Sequence, residues 1–334
     1  LVDKKIFSKI YILSVQKDSG QAMKEMIDQN RQLFRISCCI KPSNSITKFI
    51  SFIEWNIRVI YITYNIKTSC LNPHSLTTLP LALIISLYNK CKIIYEPHEI
   101  ETETINSLGI RRNVARILEK NLVRHVDSFT FTSSGHYYWY KCNYKLSDEY
   151  LFLIRNTPYK NNTLSDKKYF RERYNIPQND YIYIYQGYLN KSRGVDLLLA
   201  VFSSINENKH IVFMGFGSSV QKVLQYQEKF NNIHFHHAVS PDMVRQFTSS
   251  ADVGIHMMDS SCINHMYALP NKIMEYMNAG LPVVVSELPE MSSVILDADS
   301  GWVSPVDNYV YLRTLINKID RKMIFDKSIN SIKW

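Results

Sequence analysis

Apolar and polar positions alternate in two rhythms along this chain. Tyr181–Gln186, His210–Met214, Ile233–His236, Val253–His256 and Leu281–Val285 are short β-branched or aromatic runs. Such runs predict buried strands. Between them, 195–205, 219–230 and 271–278 carry apolar residues at helical spacing. A further helix is expected over 241–249, with Ser240 as N-cap and Pro241 at its first position. Gly280 follows the helix at 271–278 as its stop signal. Strands and helices alternating at this spacing predict a parallel sheet covered on both faces. The first half repeats the theme less regularly. Strands are expected at 10–15, 57–61, 91–95 and 128–132, and helices at 21–33, 79–88 and 114–125.

A length of 334 residues suits two domains of ordinary size. The polar stretch 155–166, RNTPYKNNTLSD, marks the expected boundary, giving domains 1–160 and 161–334. Composition is that of a globular protein, with 46% hydrophobic and 21% charged residues. The net charge of +9 is unevenly placed. Residues 1–160 hold 22 Lys and Arg against 13 Asp and Glu, and the remainder balances at 17 of each. A basic first domain attracts polyanions: nucleic acid, anionic headgroups or a phosphorylated substrate. The six cysteines form no CxxC pair, which argues against zinc and for reduced thiols of a cytoplasmic protein. No signal peptide is expected, and the longest apolar stretch, 76–88, is too short to span a bilayer.

The densest chemistry lies in 270–290, PNKIMEYMNAGLPVVVSELPE. A helix opening at Asn271 points unbonded N–H groups and its positive dipole end outward, an arrangement that suits a phosphate. Lys272 adds charge, and Glu275, one turn on, suits paired ribose hydroxyls. An ordinary amphipathic helix of an α/β domain accounts for the same pattern without any ligand. The segment closely resembles the donor-binding stretch of the retaining GT-B glycosyltransferases of family 4, the glycosyl transferases group 1. The resemblance covers roughly 74–311 and is loose before residue 90. It implies two Rossmann-like domains with parallel sheets facing a central cleft: an N-terminal acceptor domain and a C-terminal nucleotide-sugar domain, whose last helix packs back on the first.

The resemblance also implies site residues. In 185–194, YQGYLNKSRG, the family places a basic pair five positions apart on the donor diphosphate. The second member falls on Arg193. The first falls on Tyr188, with Lys191 as a substitute. Gly187 and Gly215 match the family's glycine strand ends, Gly215 in FMGFG near the base. Asn271, Ile273 and Glu275 match the donor helix. Of the family's two Glu residues eight apart, the second is Glu275 and the first is replaced by Tyr267. His98, in YEPHE, matches a strand-end His beside the transferred sugar, and His74 has the same placement logic. Glu99, Glu101 and Glu103 read as acceptor-side or solvated charges, and Asp252 as structural. The helix with Arg111, Arg112, Arg116, Lys120 and Arg124 suits an anionic membrane surface or a lipid diphosphate acceptor, and a solvated helix face accounts for it equally.

The expected activity is transfer of a hexose from a UDP- or GDP-linked sugar to a glycan or lipid-linked acceptor in bacterial surface polysaccharide synthesis. His98, Arg193 and Lys272 would be catalytic, with no metal, no cofactor beyond the sugar nucleotide, no nucleic acid and peripheral contact with the inner membrane. A degenerate sugar-nucleotide-binding subunit and a GT-B sugar-nucleotide epimerase are the alternatives.

Overall fold

The computed structural model describes residues 6–16, 20, 22–41, 43–158, 168–206 and 208–334. They form two compact units, one from 1–96 with 119–129, the other from 97–118 with 130–334. The domain boundary expected at 160 falls in 159–167, outside the described residues.

Unit one opens with β1 (Ile10–Val15), β2 (Lys24–Met26) and β3 (Arg31–Ile36), where β1 runs parallel and β2 antiparallel to β3. The helix expected over 21–33 is therefore a hairpin. Asp28 makes the difference: its Oδ1 accepts the N–H groups of Asn30 and Arg31, both at 2.8 Å. This local side-chain bond turns the chain where a helix would continue. The next expectation inverts the same way. The β-branched run 57–61 lies inside α1 (Ser45–Tyr64), not in a strand. Asn44 caps α1 in a reciprocal box with Thr47. Val59 of α1 packs in a core with Ile36, Leu81 and Ile85, so tertiary packing overrides residue preference. Then follow β4 (Cys70–Leu71), α2 (Leu79–Asn89) and β5 (Lys92–Tyr95), with β5 parallel to β4. Through α3 (Gly109–Leu122) the chain reaches β6 (Ser128–Phe131), whose first residues pair parallel with β5.

In unit two, the end of β6 leads to α4 (Ser134–Tyr144) and β7 (Leu151–Leu153), and the Ile154 N–H bonds the Phe131 carbonyl. The rest is a regular alternation: α5 (Tyr169–Tyr174), β8 (Tyr181–Tyr188), α6 (Val195–Phe202), β9 (Lys209–Phe216), α7 (Val220–Gln227) and β10 (Ile233–His237). It continues with α8 (Val244–Thr248), β11 (Val253–His256), α9 (Ile263–Tyr267), α10 (Asn271–Asn278), β12 (Val283–Ser286), α11 (Pro289–Asp297), β13 (Gly301–Ser304), α12 (Tyr309–Lys318) and α13 (Arg321–Lys333). Ser240 and Pro241 do not open α8. They form a separate turn, closed by the Met243 N–H on the Ser240 carbonyl, and the helix starts at Val244.

Six strands stand in the order β10-β9-β8-β11-β12-β13, all parallel. Strand periodicity sorts side chains to the two faces. Tyr183, Tyr185, Ile211 and Phe213 pack with α6 and α12, whereas Ile182, Ile184, Val212 and Met214 pack with α10 and α11. At the start of β8, the Asp252 carboxylate accepts the Ile182 N–H and pairs with Arg171 and Arg321, a structural role. The last helix, α13, is held within unit two by Ser328 on the Gly280 carbonyl and by Lys327 on Asp299.

Several histidines are buried uncharged in unit two. Burial, helped by His210, pulls His234 down to about 3. Burial alone pulls His136 down to about 4, and neither of its ring nitrogens has a partner. Unfolded, both titrate near 6.5. As pH falls below that value the unfolded chain takes up protons that the folded chain refuses. Each such histidine then costs about 1.4 kcal/mol per pH unit, until its folded value is reached. The melting temperature is accordingly expected to fall between pH 6.5 and 4.5. His136→Phe, which sacrifices no hydrogen bond, should flatten that fall; a parallel curve for the variant would refute the assignment.

Candidate functional site

Strand order in the six-stranded sheet reverses between β8 and β11. The connections from the two strands diverge there and leave a crevice at their C-terminal ends, where open α/β sheets place ligands. Glycines let the segments around it approach closely. Gly187, near the end of β8, has φ +111, and a Cβ on it would lie 2.2 Å from Cε of Lys272. Gly215 stands opposite it in register on β9, and a Cβ there would meet the Gly187 carbonyl oxygen at 1.8 Å. Two strand ends and the first turn of α10 thus meet at positions where side chains are forbidden. Beyond Gly187 the chain makes a 3-10 turn over Lys191–Arg193. The Asp259 N–H bonds the Ser192 carbonyl at 3.3 Å and ties this turn to the loop after β11.

The position of α10 is set by Tyr276, which is fully buried. Its phenolic oxygen accepts the Gln186 N–H at 2.9 Å and donates to the Ile255 carbonyl at 3.4 Å. Its ring fills the space a side chain at Gly254 would need. Gln186 then orients the next residue along: its amide carbonyl accepts the Thr248 hydroxyl at 2.6 Å, and its NH2 donates to the Glu275 carboxylate at 2.5 Å. Burial lowers the Lys272 pKa, and the Arg193 charge lowers it further, with Glu275 opposing. Two cations therefore stand close enough to repel one another. Pro270 caps α10 without a side-chain acceptor, leaving the helix start at Asn271 open.

The structure brings Gly187, Arg193, Gly215, Asn271, Lys272 and Glu275 to this crevice. Lys191 is in the same turn and exposed. Ile273 differs: its side chain is fully buried in the core and its N–H is spent on the Pro270 carbonyl. His256, which the sequence reading passed over, ends β11 fully buried against Tyr185, with both ring nitrogens unpaired. Burial first, then Lys272 and Arg193, drive its pKa well down.

The other candidate residues belong to other segments of the chain. His74 is exposed after β4 in unit one, with Nδ1 3.7 Å from the Glu96 carboxylate. His98 is exposed in the bend that opens the 97–118 segment of unit two. That segment is fixed by the Ile100 N–H on Asn264 of α9, at 2.8 Å. Glu103 is not a solvated charge. It is buried and paired with Arg112 and Arg116, which removes both arginines from the free basic face of α3. Tyr267 lays its ring on Gly135, where a Cβ would come within 2.6 Å. Beside it the buried Glu290 carboxylate accepts the Ser134 and Gly135 N–H groups at the start of α4.

Comparison with known proteins adds the family context. Residues 180–320 match the family described as glycosyl transferases group 1. No curated protein matches the chain significantly in sequence. Solved structures match it along nearly its whole length. The sucrose-phosphate synthase of Thermosynechococcus elongatus superposes with a TM-score of 0.80 at 12% identity, over 99% of this chain and 85% of its own. Anabaena Alr3699/HepE, solved with UDP, gives 0.73 at 14% over 97% and 94%. WaaG, a glycosyltransferase involved in lipopolysaccharide biosynthesis, gives 0.64 at 14% over 99% and 88%. The fold of this α/β chain is therefore that of the GT-B glycosyltransferases, and residues 180–320 carry the matching sequence domain.

Proposed function

We propose that the chain is a retaining glycosyltransferase that moves a hexose from a nucleotide diphosphate sugar, UDP- or GDP-linked, to a hydroxyl of a glycan or lipid-linked acceptor. The observation that carries this reading is the Lys272 side chain lying over side-chain-free Gly187, within electrostatic reach of Arg193, at the point where strand order reverses. Two close cations beside an open helix start suit a diphosphate. Arg193 and Lys272 would stabilise the charge that gathers on the diphosphate as the sugar leaves; held in place beforehand, such donors need no reorganisation during reaction. Glu275, fixed by Gln186, would take the ribose hydroxyls. His98 would face the transferred sugar, with His74 and the rest of the first 160 residues serving the acceptor. Fixed cations would do the work a divalent metal does elsewhere.

Support for a UDP-linked donor comes from HepE, which was solved with UDP, and for a surface-glycan acceptor from the role of WaaG in lipopolysaccharide biosynthesis. Among the described residues no helix is long and apolar enough to cross a membrane. Peripheral contact on the cytoplasmic face fits α3, which exposes Ile110, Val114 and Ile117 beside Arg111 and Lys120.

Arg193→Ala is expected to lower turnover roughly 100- to 1,000-fold, the scale for losing one preorganised charge donor, with the melting temperature unchanged. Near-normal transfer by a folded variant would sink the assignment. Gly187→Ala should displace Lys272 and weaken nucleotide binding by more than about tenfold, roughly 1.4 kcal/mol. A thermal-shift titration with UDP, GDP and ADP reads that loss and names the base. Transfer should also persist in excess EDTA; its abolition, with recovery on adding Mg²⁺, would contradict the role given to the two cations.

A further inference from the structure

His256 ends β11, one of the two strands between which the sheet order reverses, and its side chain is fully enclosed. Among the described residues neither ring nitrogen finds a hydrogen-bond partner. A buried imidazole left unpaired is costly, and a phenylalanine would fill much the same space without that cost. The histidine therefore calls for a second state, in which a charge on the ring is answered. Its surroundings point to that state. The Tyr185 ring of β8 stacks on it, with centroids 6.0 Å apart and planes 18° from parallel. Lys272 of α10, Arg193 of the turn after β8 and His265 of α9 act on it, in that order, as positive charges. His265 is itself paired through Nδ1 with Asp259, at 2.8 Å. The Tyr276 hydroxyl of α10 is spent on the neighbouring Ile255 carbonyl, and the register partner on β12 is the apolar Val285. Burial and the three positive groups together hold the ring uncharged.

Resting on the donor-site reading above, we infer that His256 takes up a proton when the donor diphosphate binds and so adds a third positive charge to those of Arg193 and Lys272. The ring is already out of water in the free chain, so binding brings no new desolvation there. What binding changes is the local field. A diphosphate against Lys272 and Arg193 offsets the two charges that keep a proton off the ring, and adds negative charge of its own. The proton comes from solvent and joins a ring-nitrogen lone pair; no bond of the donor changes. Proton and donor then favour one another by the same factor. A group neutral in the free chain and charged in the complex binds protons only in the complex. Donor binding therefore tightens as pH falls, from the ring's pKa in the complex down to its pKa in the free chain.

Calorimetric titration of the full chain with UDP-glucose and GDP-glucose, whose diphosphates stay fully ionised near neutral pH, tests the inference. Run in two buffers of different ionisation heat, it counts the protons taken up. Wild type is expected to take up a proton on binding, with affinity rising up to about tenfold for each unit of pH lowered below about pH 7. His256→Phe keeps a ring against Tyr185 and His256→Gln keeps a polar group; neither takes a proton. In each variant that melts as a folded protein, uptake should vanish and affinity should no longer follow pH. Uptake that persists in the variants would hand the proton to Lys272 or His265 and overturn the inference. Binding to wild type without uptake would overturn it too, with no variant needed, and would leave the donor site standing. If the folded wild type binds neither sugar nucleotide, the donor-site reading itself fails.

Discussion

The buried phenol of Tyr276 is the contact on which the crevice depends. One hydroxyl bonds the backbone of β8 at Gln186 and of β11 at Ile255, the two strands between which the sheet order reverses. Neither group lies on the same element as the tyrosine. A buried hydroxyl with both partners supplied is stable where it is, and leaving either partner unpaired costs on the order of 1–3 kcal/mol. This bond therefore fixes the height and rotation of α10 against the sheet. From that follow the seat of Lys272 over Gly187 and the reach of Glu275 to Gln186. The glycines complete the constraint from the other side: a side chain at 187, 215 or 254 would strike Lys272, the neighbouring strand or the tyrosine ring.

The alternation of strands and helices after residue 180 was legible because the strands are buried on both faces and most read as runs of apolar and aromatic residues. The same logic failed at 57–61, where an equally β-branched run is helical. Local preference is about 1 kcal/mol per residue at most, and a 20-residue helix with a capping box and a buried face outweighs it. The 21–33 segment failed for a different reason. Its apolar spacing fits a helix, but a single carboxylate, Asp28, folds the backbone onto itself. The first outcome is not visible without knowing what the segment packs against; the second turns on one local side-chain bond.

At the site, Lys272, Glu275 and Arg193 were legible as charges in a motif. Gln186, Thr248 and Tyr276, which set Glu275 and α10 in place, carry no such signal, since each acts through a bond to a partner distant in sequence. Ile273 shows the converse: a residue inside a motif whose job is to anchor the helix in the core. Glu103 was misread because a carboxylate in an acidic run looks solvated. Its partners, Arg112 and Arg116, come nine and thirteen residues later, on a helix whose basic stripe suggested an outward role.

The Glu290 carboxylate at the start of α4 has a consequence for how an anion finds its place. α4 also begins with backbone N–H groups facing outward, which by itself is an invitation to phosphate. Here two of those groups are occupied by a residue of the same chain, which brings a negative charge of its own. A diphosphate approaching α4 would meet a carboxylate on the first N–H groups, whereas at α10 the cap is a proline and Lys272 and Arg193 stand close together. On the proposed donor-site reading, the chain's own carboxylate closes one helix start to an anion while the other is left open.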